Sequence, residues 1–139
     1  MAGIYIHIPF CRHKCSYCDF TSFPDKIEYA EAYMACLYKE LKMRGDELKD
    51  YEFDTVYFGG GTPSFFGARG MIKILNTLRK YFDVDSKAEI TFEANPDSVT
   101  PRLLRKLRRE GFNRVSLGIQ QGLTVQSIQL QLMAAQENK

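Results

Sequence analysis

The sequence has no long run of apolar residues, and this absence first excludes a helix that spans a membrane. No stretch of the 139 residues approaches the roughly 20 apolar residues that such a helix needs. The first residues also lack the positively charged start and the apolar stretch of a signal peptide. From these absences we expect a cytosolic protein. Because thiols are kept reduced in the cytosol, clustered cysteines there indicate a metal site or redox chemistry before they indicate a disulfide.

The composition lacks the features of a disordered chain. Hydrophobic residues make up 45% and charged residues 26% of the sequence, as is typical of globular proteins. A length of 139 residues predicts one domain, which buries roughly two-thirds of the surface that its unfolded chain exposes. We therefore expect a substantial hydrophobic core.

The net charge is only +2, but the basic residues are unevenly distributed. Residues 102–114 carry +5, and all other residues together carry −3. The basic side chains of this segment, which face only Glu110, are Arg102, Arg105, Lys106, Arg108, Arg109 and Arg114. We expect a solvated helix surface and no nucleic-acid partner. The alternative is a docking surface for an anionic ligand or a nucleic acid.

Segments with strand spacing and segments with helical spacing alternate along the chain. Strands are predicted over residues 4–10, 53–58, 87–96 and 113–120. Helices are predicted from the capping box of Asp25 and Glu28 to Gly45, over residues 67–82, and from Pro101, with Thr100 as N-cap, to Gly111. This order predicts an α/β fold whose parallel strands form a sheet, flat or curved into part of a barrel, with helices outside. In such folds sites assemble at the carboxyl ends of the strands.

The composition changes abruptly after Ile119. All six glutamines of the sequence lie within its last twenty residues, and charged residues nearly vanish there. They are Gln120, Gln121, Gln126, Gln129, Gln131 and Gln136. We interpret residues 121–139 as an aberrant glutamine-rich tail that can form an amphipathic helix.

Three of the four cysteines, Cys11, Cys15 and Cys18, form the pattern C-x3-C-x2-C. A structural zinc site needs four protein ligands, usually as two separated pairs. An iron-sulfur cube that is held by three thiolates leaves one iron open to a small molecule. The spacing therefore favours an open cluster. The alternative is zinc with Cys36 or His13 as fourth ligand, although Cys36 lies off the apolar stripe of the first helix.

Four segments, taken together, are similar to the radical S-adenosylmethionine (SAM) superfamily. They are IYIHIPFCRHKCSYCDF, FGGGTPS, EITFEANP and NRVSLGIQ, in this order and spacing. Within the superfamily they most resemble the oxygen-independent coproporphyrinogen III oxidases and the related HemW-type heme chaperones. The resemblance covers residues 3–120 and implies the N-terminal part of a (β/α) radical SAM barrel, truncated after about four strand units.

The resemblance also implies cofactors and the residues that hold them. The three clustered cysteines would bind a 4Fe-4S cluster, and the amino and carboxylate groups of SAM would chelate its fourth iron. Residues that would contact SAM or line the space beside it are Tyr5, Tyr17, Gly60, Gly61, Thr62, Glu93 and Gln120. Glu93 is expected on the strand face of Glu89 and Thr91, where its carboxylate can accept hydrogen bonds from SAM. The resemblance gives His7 no role, and we expect a core histidine with satisfied hydrogen bonds.

One position separates the two groups within the superfamily. The oxidase pattern has a further cysteine two positions beyond the last cluster ligand, and this chain has Phe20 there. The resemblance thus favours a heme chaperone, with heme or porphyrin as partner and heme as a further ligand. The first alternative is an oxidase that decarboxylates coproporphyrinogen through a 5'-deoxyadenosyl radical. For either group the resemblance implies a flavodoxin- or ferredoxin-like partner that donates low-potential electrons. The second is a truncated fragment without turnover, or a zinc-binding structural protein.

Overall fold

The computed structural model describes residues 2–11, 23–24, 29–61, 67–96 and 99–117. In chain order the elements are β1 (Ala2–Ile8), β2 (Phe10–Cys11), β3 (Phe23–Pro24), α1 (Ala30–Glu47), β4 (Glu52–Gly60), α2 (Gly67–Tyr81), β5 (Asp83–Ala94), α3 (Pro101–Glu110) and β6 (Arg114–Leu117). Strands β1, β4, β5 and β6 lie side by side in that order, and all are parallel. Strands β2 and β3 form a separate parallel pair. The predicted α/β fold with a parallel sheet is confirmed.

Side chains alternate between the two faces of the sheet, and the apolar face carries the core. The strand residues of this face that are at most 4% exposed include Ile6, Ile8, Val56, Phe58, Ala88, Ile90 and Phe92. Helices α1, α2 and α3 each contribute buried apolar side chains to the same cluster. Phe112, which follows α3, packs edge-on against Phe58 and Phe92, with ring centroids 5.2 Å and 5.6 Å away. The helices therefore cover one face of the sheet and leave the other for polar residues.

The predicted first strand, residues 4–10, is wrong at its carboxyl end. Pro9 has no N–H to donate to a sheet ladder, and β1 ends one residue before it. Phe10 then pairs with Phe23 in the two-stranded ladder instead of with β4. The chain therefore leaves the main sheet after Ile8, three residues before Cys11.

The predicted end of the first helix, at Gly45, is also wrong. Helix α1 begins at Ala30 and continues to Glu47. A Cβ atom on Gly45 would lie 2.6 Å from Cβ of Tyr81, at the end of α2. The glycine thus permits two helices to pack closely and does not end the helix. The predicted capping residues Asp25 and Glu28 lie outside the described residues.

The sequence signals for α3 predicted its ends correctly. The Thr100 hydroxyl accepts a hydrogen bond from the backbone N–H of Leu103 at 3.1 Å, and Pro101 occupies the first helical position. Gly111 follows the last turn with a φ of 122°, a conformation that favours glycine.

The predicted glutamine-rich tail, residues 121–139, lies outside the described residues, so its helical character and the domain boundary before it stay predictions. Within the described ranges, no helix combines the length and the apolar character that crossing a membrane would require.

Candidate functional site

Polar and aromatic side chains gather on the sheet face opposite the core, near the carboxyl ends of the strands. Tyr5 pairs with Tyr57, and Tyr57 with Thr91, so their side chains lie side by side across three strands. His7 and Glu93 lie on the same face two residues nearer the strand ends. This geometry confirms that Tyr5 and His7 share the face opposite the isoleucines of β1.

Glu93 is held in place over the end of β4. Its Oε1 atom accepts a hydrogen bond from the backbone N–H of Gly60 at 3.0 Å, and its side chain is half-buried. As a carboxylate it has capacity for several more donors. Thr91 and Glu89 follow on the same strand face, as the sequence predicted, with the Thr91 hydroxyl 3.4 Å from Glu89 Oε1. The Glu93 carboxylate is therefore an oriented acceptor at the sheet edge where sites form in such folds.

The three successive glycines each lie against a different neighbour. A Cβ atom on Gly59 would collide with Oε1 of Glu93 and lie 2.9 Å from the Tyr5 hydroxyl. Gly60 has a φ of 113°, and a Cβ there would lie 2.8 Å from the His7 ring. Gly61 donates its N–H to the Ile8 carbonyl at 2.7 Å. The N–H groups of Gly60 and Gly61 are thus engaged within the protein, and the glycines let the strand ends approach closely.

Tyr5 offers an aromatic surface beside this carboxylate. Its ring stacks on Tyr57 with centroids 5.9 Å apart and planes 14° from parallel, and 56% of the residue stays exposed. Its hydroxyl lies 3.3 Å from Nδ1 of His7. Partial burial, the charge of Glu93 and the neighbouring Tyr57 together raise the pKa of Tyr5, so its hydroxyl stays protonated at neutral pH. His7 therefore has the polar contact that we expected, but at the site and not in the core.

Sequence reasoning missed Tyr33, which joins α1 to this end of β1. Its hydroxyl donates a hydrogen bond to the His7 carbonyl, and its ring packs edge-on against Phe10 at 5.5 Å. Burial, with smaller contributions from Glu40 and Tyr5, raises the pKa of Tyr33. The signal that could have found it is helical spacing, because Tyr33 lies four residues before Leu37 on the face of α1 that packs against the sheet.

The structure places only part of the predicted cluster site. Cys11 ends β2, where its backbone pairs with Pro24, three residues beyond the end of β1. Cys15, Cys18, Tyr17, Thr62 and Gln120 lie outside the described residues, as does His13. Cys36 is an exposed free thiol on α1. Among the described residues, no three histidine, cysteine or acidic side chains come close enough together to hold a metal ion.

The basic segment divides between two surfaces. The exposed basic residues of α3 are Arg102, Lys106, Arg108 and Arg109, in agreement with a solvated helix surface. Arg114 belongs instead to β6, where its guanidinium lies 2.9 Å from the carboxylate of Glu89. That ion pair lies on the polar face of the sheet, and both side chains are about half exposed, 58% and 51%.

Helices on one face of a parallel sheet, with polar groups at the strand ends on the other face, are typical of an α/β protein of the barrel type. The candidate site lies on the polar face. The sequence pattern of the radical SAM superfamily matches residues 5–126, and the chain belongs to this superfamily. The resemblance stated above is thereby confirmed.

Individual relatives are longer than this chain. Over 121 residues it is 37% identical to the heme chaperone HemW of Mycobacterium tuberculosis, covering 85% of this chain and 31% of the relative. It is 38% identical over 119 residues to HemW of Escherichia coli K12, covering 85% and 32%. It is 32% identical over 119 residues to the oxygen-independent coproporphyrinogen III oxidase of Salmonella typhimurium, covering 85% and 26%. The chain thus spans between about a quarter and a third of the length of these relatives.

A solved structure shows the same fold. Coproporphyrinogen III oxidase (HemN) from Escherichia coli, described as a radical SAM enzyme, superposes with a TM-score of 0.86 and 28% sequence identity. The match covers 98% of this chain and 34% of that one. The predicted architecture, part of a radical SAM barrel with outer helices, is confirmed.

Proposed function

We propose that this chain binds a 4Fe-4S cluster through Cys11, Cys15 and Cys18, and SAM against the polar face of its sheet. Its larger role would lie in porphyrin or heme metabolism. Membership of the radical SAM superfamily supports the cofactors, and the names of the relatives support the heme-related role. The single observation that carries the proposal is the Glu93 carboxylate, fixed by the Gly60 N–H over the end of β4.

The described residues fit SAM chemically. SAM carries an ammonium group and ribose hydroxyls, which are donors that an oriented carboxylate accepts. Gly59 and Gly60 have no side chains, so none lies between the Glu93 carboxylate and the end of β4. The exposed ring of Tyr5 offers a flat surface nearby. The Glu93 carboxylate would orient the bound molecule, and the sheet would shield one side of it from water.

Bound together, the cluster and SAM would supply the one-electron chemistry that protein side chains lack. The three cysteines would hold the cluster and leave one iron for SAM. Because the N–H groups of Gly60 and Gly61 already have acceptors, these two glycines would contact a ligand through their carbonyl or Cα atoms. Tyr17, Thr62 and Gln120 complete the proposed SAM contacts. The electron donor would be a flavodoxin- or ferredoxin-like protein.

Within heme metabolism we propose a role like that of a HemW-type heme chaperone. Phe20, where the oxidase pattern has a cysteine, and the HemW relatives favour this role. The second candidate is coproporphyrinogen oxidation, which the Salmonella relative and the Escherichia coli structure favour. A titration with heme, followed by visible absorption, separates them, because only the first requires heme itself as a ligand. A cytosolic location and the lack of a nucleic-acid partner stay predictions.

The test is anaerobic reconstitution with iron and sulfide, followed by electron paramagnetic resonance of the reduced protein with and without SAM. We expect a cubane signal that changes when SAM is added. Cys15→Ala should abolish the signal. Glu93→Gln should keep the cluster, because the amide oxygen still accepts from Gly60, but should weaken SAM binding roughly tenfold or more, since a charge-assisted hydrogen bond is lost.

Glu89→Gln is the matched control, because Glu89 lies on the same face of the same strand, paired with Arg114 and farther from the strand end. It should leave SAM binding unchanged. Stoichiometric zinc in place of iron and sulfide would overturn the proposal in favour of the zinc alternative. If the two glutamate variants weakened SAM binding equally, Glu93 would not be a specific contact of SAM.

A further inference from the structure

We propose that Tyr33 is a positioning residue for the first cluster ligand. Its hydroxyl and its ring fix the short segment through which the chain leaves β1 and reaches Cys11. The role of Cys11 as a ligand rests on the proposed function, whereas the contacts of Tyr33 do not.

The segment is held on one side by the end of β4. The Gly61 N–H donates to the Ile8 carbonyl at 2.7 Å, beyond the last residue of β4. A Cβ atom on Gly61 would lie 2.5 Å from the carbonyl oxygen of Phe10, so only glycine lets the two backbones come this close. The backbone between Ile8 and Phe10 therefore has little freedom to move toward β4.

Helix α1 holds the segment on its other side. Successive carbonyls of a strand point to opposite sides, and Ile8 directs its carbonyl toward β4. The carbonyl of His7 thus points to the outer edge of β1, which is the first strand of the four-stranded sheet. The Tyr33 hydroxyl donates to this carbonyl. At this edge of the sheet the hydroxyl thus replaces the N–H donor that a neighbouring strand provides to carbonyls elsewhere in the sheet.

The ring of Tyr33 makes a second contact, three residues further along the chain. It meets Phe10 edge-on, with the planes 82° apart, and Phe10 is only 3% exposed. Phe10 directly precedes Cys11. Tyr33 therefore contacts the segment at two points, His7 and Phe10, and the chain passes between α1 and β4 just before its first predicted cluster ligand.

The test compares Tyr33→Phe, which keeps the ring and removes the hydroxyl, with Tyr38→Phe on the same helix. Tyr38 is a matched control because its hydroxyl is buried and has no hydrogen-bond partner among the described residues. The first readout is amide hydrogen exchange of the metal-free 139-residue chain. We expect exchange over residues 5–11 to become between about twofold and tenfold faster in Tyr33→Phe, as the loss of one neutral hydrogen bond implies. Exchange in β5 should stay unchanged.

The second readout is the reconstituted cluster. We expect Tyr33→Phe to shift its reduction potential or its paramagnetic spectrum, and Tyr38→Phe to leave both as in the unmodified protein. The positioning role is overturned if exchange over residues 5–11 stays unchanged, if β5 speeds up equally, or if the cluster properties do not move. A protein that acquires no cluster would overturn the proposed function, while the exchange comparison would still decide whether Tyr33 fixes this segment.

Discussion

At the scale of single side chains, Tyr5 on β1 and Glu93 on β5 interact across the one strand between them, β4. Burial and the charge of Glu93 raise the pKa of Tyr5 above its ordinary value of 10.0. We expect Glu93→Gln to lower this pKa, because a nearby negative charge disfavours the phenolate and its removal relaxes that penalty. The shift should be partial, since burial and Tyr57 remain.

The measurement is a titration of carbon-13-labelled tyrosines by NMR from about pH 8 to 12, with Tyr5→Phe to assign the resonance. Glu89→Gln serves as the control with the same loss of charge. Because the folded pKa lies above the unfolded one, the Tyr5 contribution to stability is present below about pH 10 and is lost as the pH rises through the folded pKa. An unaltered Tyr5 pKa in Glu93→Gln would mean that the two groups do not interact.

The sequence predicted which residues lie on the polar face of the sheet. It did not predict which atoms those residues contact. Strict alternation along β1 and β5 placed Tyr5, His7 and Glu93 on the polar face correctly, because the side-chain period of a strand is two. The hydrogen bond from Tyr33 to the His7 carbonyl joins residues 26 positions apart, and it depends on how α1 packs across the edge of the sheet. No local pattern specifies that angle. The predicted roles of residues outside the described ranges stay predictions.

At the scale of secondary-structure elements, Gly45 decides how closely α1 approaches α2. Alanine in a helix normally stabilises it by about 1 kcal/mol relative to glycine. Here an added Cβ would lie 2.6 Å from Cβ of Tyr81 and 2.7 Å from its carbonyl oxygen. We therefore expect Gly45→Ala to destabilise the protein by about 1–3 kcal/mol, the range typical of overpacking.

Urea denaturation of the variant measures this change in the free energy of unfolding. Met43→Ala on the same helix is the control, because Met43 is 58% exposed and its loss should change stability by no more than about 0.5 kcal/mol. A Gly45→Ala variant that is more stable than the unmodified protein would show that the helices separate at little cost.

Element ends were predictable where the signal is local. The hydroxyl of Thr100 and the backbone of Gly111 act within one helical turn, and α3 begins and ends where they indicate. Strand β5 begins at Asp83, four residues before its predicted start, because Asp83 and Val84 pair with the first residues of β4. The polar sequence of residues 83–86 gives no sign of this pairing, which depends on a strand elsewhere in the chain.

At the scale of the whole molecule, strand order distinguishes the two sheet shapes that the alternation of strands and helices left open and of which the family resemblance implied the barrel. A doubly wound sheet reverses its strand order at a switch point, whereas neighbours in a barrel follow one another along the chain. Here the order is β1, β4, β5 and β6, and α1, α2 and α3 lie between successive neighbours along the chain. This sequential order agrees with the radical SAM fold of the Escherichia coli structure. The alternation of strands and helices in the sequence cannot predict this strand order, because a doubly wound sheet and a barrel share the same alternation.

One face of the sheet packs in the core and the other is polar. Two adjacent aromatic residues of β4, one on each face, test this difference. Phe58 is fully buried in the core against Phe112, whereas Tyr57 points to the polar face and stacks on Tyr5. We expect Phe58→Ala to cost about 3–5 kcal/mol of stability, as for a large buried ring. Tyr57→Ala should cost about 1 kcal/mol, as for a half-buried residue outside a packed core.

Urea denaturation of the two variants, measured side by side, gives both costs. The reconstituted Tyr57→Ala protein should also respond more weakly to SAM, because the stacked support beneath Tyr5 is gone. Phe58→Ala needs no cofactor readout, since its predicted defect lies in folding. Equal costs would show that the polar face is packed as densely as the face covered by the helices, which would leave no room there for a molecule the size of SAM.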